Sequence, residues 1–197
     1  MGKLKQKYPE QRDFTTKIII LAGGCRGEQI DWATYYHPNA IVYVIEPMPK
    51  NMEAIRALYE NKEYPNLVFI QKACWDSNGT MYMIDYGEPH KHSFYDRPTS
   101  ERLRKGKVQV ETMDFAEFIE SLEHVNFIRM NIEGSEYRVL FHCFDKGVMN
   151  RIGHLDVQLH GGRIPSLEKY KDKKGNDLLK QKLLEWHPKE SHRWRLV

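Results

Sequence analysis

KIIILAGGCRGEQI, residues 17–30, is an apolar run that closes on three glycines. A continuous Ile/Leu run flanked by glycine is the pattern of a parallel strand covered on both faces, so residues 17–22 read as a buried strand. Gly23, Gly24 and Gly27 stand at its carboxyl end, and residues 28–37 carry Ile30, Trp32, Ala33 and Tyr36 at helical spacing until Pro38. Glycines in such a place allow positive φ and close approach of the main chain, while a helix N-terminus offers N–H groups. Two readings follow: a plain turn, or a place where the backbone opens to hold a small molecule. The pattern is neither G-x-G-x-x-G nor the Gly-Lys-Ser/Thr of a P-loop.

The rest of the chain extends this alternation. AIVYVIEP is a second strand, and residues 49–61 place Met52, Ile55, Ala57, Leu58 and Tyr59 in an amphipathic helical pattern. NLVFIQKACW reads as a third strand, and DSNGTMYMID continues from it through Asn78-Gly79, the dipeptide of a tight hairpin. Residues 86–106 have little periodicity and much Pro, His, Ser and charge, as in a functional loop. KVQVETM alternates as a strand, and DFAEFIESL starts with Asp114 as N-cap and Glu117 three residues on, a capping-box spacing. VNFIRMNIEG is a buried strand, SEYRVLFHCFDKG a helix and HLDVQLHGG a further strand. Strands alternating with helices predict an open α/β sandwich, a mostly parallel sheet with right-handed crossovers and helices on both faces. Ligands in such folds sit at the carboxyl ends of the strands.

At 197 residues one core is expected, a single domain over 1–197 with residues 1–16 as an N-terminal extension and 163–197 as a basic C-terminal segment. The 41% apolar and 29% charged fractions are those of an ordinary soluble protein, and no apolar run approaches the roughly 20 residues of a membrane helix. The first residues carry charge without an apolar h-region, and Gln6 stands where myristoylation wants Ser or Thr, so a cytoplasmic address is expected. Three widely spaced cysteines, Cys25, Cys74 and Cys143, fit reduced thiols. Ten Lys or Arg against five Asp or Glu lie between Arg163 and Val197, which leaves −2 for the remainder of a +3 chain. Such a tail suits either an anionic partner or a solvated, lysine-flecked helix face.

Glu46 ends the second strand, 19 residues after Gly27. In a Rossmann-type unit an acidic side chain there accepts hydrogen bonds from both ribose hydroxyls of a nucleoside. The alternative is a surface glutamate at a turn. IIILAGGCRG, VYVIEPMPKNMEAI, NLVFIQKACWDSNGTMYM, VETMDF and FIRMNIEGSEYRVL together resemble the FkbM-type family of S-adenosylmethionine-dependent methyltransferases, over roughly residues 17–142. The resemblance implies the class I methyltransferase sandwich, S-adenosylmethionine as cofactor, and O-methyl transfer to a sugar or polyketide hydroxyl. It also implies that the turn Gly23, Gly24, Cys25 and Gly27 lines the methionine part of the cofactor, Glu46 holds the ribose, and Pro47 and Met48 flank the adenine. The backbone of Lys72 and Ala73 would meet the adenine edge.

The chain departs from the family pattern at two places: Leu21 stands for an Asp two residues before the first glycine, and Asn131 for the Asp of Asp-x-Glu-Gly. The first removes a contact to the cofactor's amino group, and the second weakens the case for a divalent metal, so no metal is expected. Asn131 and Glu133 follow a strand that faces the expected methyl group. Glu133 would orient or deprotonate an acceptor hydroxyl, unless Glu133 and Glu136 cap the following helix. His160 ends the last strand read from the pattern, where an imidazole is a natural general base or a structural residue. The loop residues His90, His92, Ser93, Tyr95 and Arg97 suit a carbohydrate acceptor. The leading reading is an O-methyltransferase acting on a hydroxyl of a small molecule, sugar or glycan, with oligomeric state open. The rivals are an RNA methyltransferase, from Trp186, His187, Trp194 and Arg195 in the basic tail, a non-catalytic cofactor-binding domain, and an NAD-dependent oxidoreductase, which lacks its pyrophosphate fingerprint.

Overall fold

The computed structural model describes residues 12–24, 27, 29–60, 64–161, 164–186 and 193–196. Strand β1 (Ile18–Ala22) is its centre, and its side chains divide between two faces. Ile20 and Ala22 enter one apolar cluster, Ile19 and Leu21 the other. That division explains the unbroken apolar run: side chains alternate in direction along a strand, and here both directions lead into protein.

On the Ile19 side, β1 packs against α1 (Ile30–Tyr36) and α2 (Pro49–Tyr59) through Ile30, Ala33, Ile55 and Tyr59. On the Ile20 side lie α3 (Phe115–Glu120), α4 (Glu136–Asp145) and α5 (Leu178–Trp186), which contribute Phe115, Leu140 and Leu183 among others. Between the layers runs a six-stranded sheet, all of its pairings parallel. It comprises β1, β2 (Ile41–Ile45), β3 (Leu67–Ile70), β7 (Val125–Met130), β8 (Ile152–Leu159) and β9 (Arg193–Leu196), in the order β3-β2-β1-β7-β8-β9. The chain leaves β1 toward β3 and later returns on the opposite side as β7, so the order reverses between β1 and β7. This switch point opens a crevice at the carboxyl edge of the sheet. The α/β sandwich expected from the alternation is therefore present.

A smaller sheet, β4-β6-β5, holds β4 (Ala73–Trp75), β5 (Gly79–Asp85) and β6 (Gly106–Asp114). Here two local readings are corrected. NLVFIQKACW is not one strand: β3 is an edge of the main sheet, and after Gln71-Lys72 the chain enters the small sheet as β4. Nor does Asn78-Gly79 close a hairpin, because β6 lies between β4 and β5, parallel to the first and antiparallel to the second. Asn78 is instead a bridge: its Oδ1 accepts from Asp114 N–H (3.1 Å) and its Nδ2 donates to Glu117 Oε2 (2.9 Å). The capping-box partners Asp114 and Glu117 are thus linked through Asn78.

The basic tail also differs from a plain solvated helix face. Leu179 and Leu183 of α5 are buried, and the Trp186 ring meets Phe144 edge-on at 6.2 Å. The backbone of residues 193–196 extends the main sheet beside β8. His187 and the side chains of Trp194 and Arg195 lie outside the described residues. Among the described residues no helix is long and apolar enough to cross a membrane.

Asp114 caps α3 as its spacing predicts, its Oδ1 accepting from Ala116 N–H (2.9 Å) and Glu117 N–H (3.0 Å). Burial alone would raise its carboxyl pKa. The hydrogen bonds from Glu117 N–H and His142 outweigh that and hold it below the ordinary carboxylate value. A depressed folded pKa means stability that is present above the unfolded value and lost as acid titrates the native carboxylate. Replacing Asp114 by Ala should cost about 1–2 kcal/mol near neutral pH. Urea midpoints should show this cost shrinking below about pH 4.

Candidate functional site

Four strand ends converge at the switch point: Gly23 and Gly24 follow β1, Glu46 follows β2, Asn131 to Ser135 follow β7, and His160 follows β8. Two adjoining clefts open there. The first, about 530 Å³ and open to solvent, is bordered by Glu46, Pro47, Ala73, Asn131 and Glu133, with His90, His92 and Phe94 of the 86–105 loop opposite. The second, about 820 Å³, lies over Leu21, Gly24, Gly27 and Arg129. Gly23, His90 and Asn131 border both.

The glycine turn is shaped by close packing. At Gly23, with φ +87°, an added β-carbon would stand 2.0 Å from the Asn131 carbonyl oxygen, and at Gly27, with φ +79°, it would meet the Tyr59 ring at 2.7 Å. Both Gly23 N–H and Gly24 N–H donate to the Ile45 carbonyl, at 2.9 and 3.0 Å. Those two donors are therefore committed to the sheet. Cys25 lies outside the described residues.

Glu46 is 5% exposed, on the floor of the first cleft. Its Oε1 accepts from Met48 N–H (3.0 Å) and Asn51 Nδ2 (3.2 Å), which fixes the carboxylate against rotation. The surface-glutamate alternative does not hold. Pro47 and Ala73 border the cleft, whereas Met48 sits behind it in an apolar cluster with Ala73, Met83 and Val110. The Lys72 side chain turns away to Glu111 at 3.1 Å.

After β7 the chain takes an unusual path. Glu133 has φ +58°, a left-handed conformation rarely adopted by a non-glycine residue. Its carbonyl oxygen accepts from Ser93 Oγ (2.7 Å) and Arg97 Nη2 (3.1 Å), and its carboxylate accepts from Arg97 as well. The 86–105 loop is thus tied to this turn. Glu136, fully buried at 0% exposure, accepts from Ile132 N–H and Gly134 N–H, each at 2.8 Å. Of the two glutamates, then, Glu136 satisfies the backbone ahead of α4 while Glu133 faces the cleft.

His160, 4% exposed, stands behind that turn and borders neither cleft. Its Nδ1 is 2.9 Å from Glu136 Oε1 and its Nε2 3.6 Å from Glu133 Oε1. Burial alone would lower its pKa, but the two carboxylates outweigh burial and raise it. A raised pKa makes the neutral imidazole less available near neutral pH to take a proton from an acceptor. Six side-chain polar atoms are buried without a hydrogen-bond partner among the described residues, and three of them, Asn131 Oδ1, Ser135 Oγ and His92 Nδ1, belong to residues that border the first cleft. Such atoms are costly unless a ligand meets them.

Sequence comparison adds the family. The sequence model described as "Methyltransferase FkbM domain" matches residues 22–187, most of the chain. The chain belongs to the FkbM methyltransferase family. No curated protein matches it. Membership implies a methyl donor, and the Rossmann-like sheet of this FkbM-family protein places its crevice at the usual ligand edge.

Sequence reasoning missed Glu136 as the centre of a buried network, because a Glu in the first turn of a helix ordinarily faces water. It missed Arg129, which borders the second cleft and pairs with Asp156 on the neighbouring strand. Alternation along β7 and β8 puts those two side by side, a signal available once the register is known. The raised His160 pKa carries a testable sign. Stability from protonated His160 is complete below the unfolded value of about 6.5 and is lost as pH rises through the folded value. His160→Gln should therefore cost on the order of 2 kcal/mol at pH 6 and distinctly less at pH 9, read from urea unfolding at both.

Proposed function

We propose that this FkbM-family protein is an S-adenosylmethionine-dependent O-methyltransferase acting on a hydroxyl of a sugar or glycan. The observation that carries the reading is Glu46: a buried, immobilised carboxylate at the end of β2, on the floor of a cleft at the switch point. A carboxylate placed there suits a diol, since each ribose hydroxyl brings a donor.

The other residues present fit the same group. Pro47 and Ala73 provide apolar walls for a flat adenine, and Gly23, Gly24 and Gly27 leave room for the methionine chain. Asn131 Oδ1 is an unpartnered acceptor shared by both clefts, suited to the amino group that the missing carboxylate at Leu21 would otherwise meet. When bound, the cofactor supplies an electrophilic methyl group on a sulfonium with a good leaving group. The protein's task is then to align acceptor oxygen, methyl carbon and sulfur. Asn131 and Glu133 border the space where that line would pass, and Arg97 fixes Glu133. His160 enters this reading as a positioning residue that acts through Glu133, not as the base.

The acceptor class rests on the loop side of the cleft. Ser93 and Arg97 are taken up in holding Glu133, which leaves Phe94, His90 and His92 facing the space. A ring beside hydrogen-bonding groups matches the C–H face and hydroxyls of a sugar.

Calorimetry with S-adenosylhomocysteine should show binding, weakened about 10–100-fold in Glu46→Gln, the loss of a charge-assisted hydrogen-bond pair. Binding undiminished in the variant would overturn the ribose assignment. Labelled methyl donor should then mark members of a sugar and glycan panel; label found only in RNA would overturn the acceptor class.

A further inference from the structure

Two residues outside the family's resemblance motifs are brought together by a short cross-strand link. At the end of β5, Ile84 N–H donates to the Ser93 carbonyl (2.8 Å) and Ser93 N–H to the Ile84 carbonyl (3.3 Å), an isolated antiparallel bridge. In antiparallel pairing the next residue on one strand faces the preceding residue on the other, so Asp85 stands opposite His92. The side chains meet at ion-pair distance, His92 Nδ1 lying 3.3 Å from Asp85 Oδ1 without the angle of a hydrogen bond. Asp85 is itself fixed, its Oδ1 accepting from Gly87 N–H at 2.6 Å. His92 borders the first cleft, as do Asn131 and Glu133.

A carboxylate within ion-pair reach of one ring nitrogen and a cleft beside the same imidazole have the layout of an orienter–base pair, whose hydrogen bond is often formed only when the site is loaded. Resting on the O-methyltransferase reading above, we propose that His92, oriented by Asp85, is the general base that accepts the proton of the acceptor hydroxyl. The acceptor O–H proton passes to His92 Nε2, the ring nitrogen distal to Asp85, as the acceptor oxygen forms its bond to the methyl carbon. The methyl–sulfur bond breaks with its electron pair remaining on sulfur, which leaves a neutral thioether and an imidazolium paired with Asp85. The next cycle begins when that proton is lost to water.

The electrostatic surroundings of the two histidines separate their roles. Around His160 two carboxylates hold a proton in place. Around His92, burial is the largest influence and lowers the pKa, His90 on the same loop lowers it further, and Asp85 opposes both. Glu46 and Glu133 border the same cleft from the ends of β2 and β7. With its pKa below that of a free imidazole, His92 is neutral and able to accept a proton at physiological pH. His90, half exposed, borders the same cleft and lies 3.3 Å from Glu88.

The test uses the full chain and has a readout independent of turnover. NMR titration of the imidazoles should find His92 titrating below about 6.5, and lower still in Asp85→Asn, because the carboxylate that favours the charged form is gone. Calorimetry should find S-adenosylhomocysteine bound equally by wild type, His92→Gln and Asp85→Asn, which also shows the variants folded. Against a sugar acceptor that wild type methylates, His92→Gln should lose about 10²-fold or more in kcat, and with it the acid limb of the pH profile. Asp85→Asn should lose less and shift that limb to lower pH. A His92→Gln enzyme with intact binding, wild-type rate and an unchanged pH profile overturns the assignment and leaves the methyltransferase reading standing. So does a His92 that titrates at or above the ordinary value. Absence of methyl transfer by wild type itself overturns both.

Discussion

At the switch point two strand ends touch through main chain alone: a β-carbon at Gly23 would come within 2.0 Å of the Asn131 carbonyl oxygen. Asn131 N–H donates to the Ala22 carbonyl at 2.9 Å, so the β1–β7 ladder runs on to the very point where the strands part. The crevice depends on this contact. It brings the turn after β7 close enough to β1 and β2 for Asn131, Glu133 and Glu46 to border one space. The Gly23 and Gly24 donors are spent on Ile45, so neither of these two residues offers a free N–H to the crevice.

Those side chains form two electrostatic groups with opposite tasks. Behind the β7 turn, Glu136 is locked by two backbone N–H donors and by His160, and Glu133 by Arg97. With His160 protonated the four charges cancel, which is how a cluster so little exposed is tolerated. The group supports a strained residue, Glu133, at φ +58°, whose carbonyl is gripped from the loop by Ser93 and Arg97. Loop and turn therefore hold each other through Ser93 and Arg97.

Much of this was legible in the sequence, and the reasons are specific. The β1 run was read correctly because both of its faces are buried, so its composition reports its place directly. Asp114 was read as a cap because capping is settled within three residues. Asn78-Gly79 misled because a dipeptide specifies a turn but not which strand will lie beside it. Gln71-Lys72 gave no sign of a change of sheet, since pairing partners lie tens of residues away. Glu46 was legible through its spacing from the glycines. The proton on His160 was not, because it depends on Glu136 and Glu133 across the β7–β8 junction.

The two departures from the family pattern can be understood together. A carboxylate at 131 would add a negative charge to a cleft already bordered by Glu46 and Glu133. Asn131 keeps an acceptor oxygen there without that charge. Leu21 buries its side chain in the β1 core and leaves Arg129, paired with Asp156, as the charged group at the border of the second cleft. In the proposed reading the amino end of the donor then meets a neutral acceptor, which is worth roughly half of a charged one. The ribose end, where Glu46 remains in place and immobilised, becomes the principal anchor. A donor held chiefly by its nucleoside leaves the sulfonium end to be aligned by the turn after β7 and by the loop it grips.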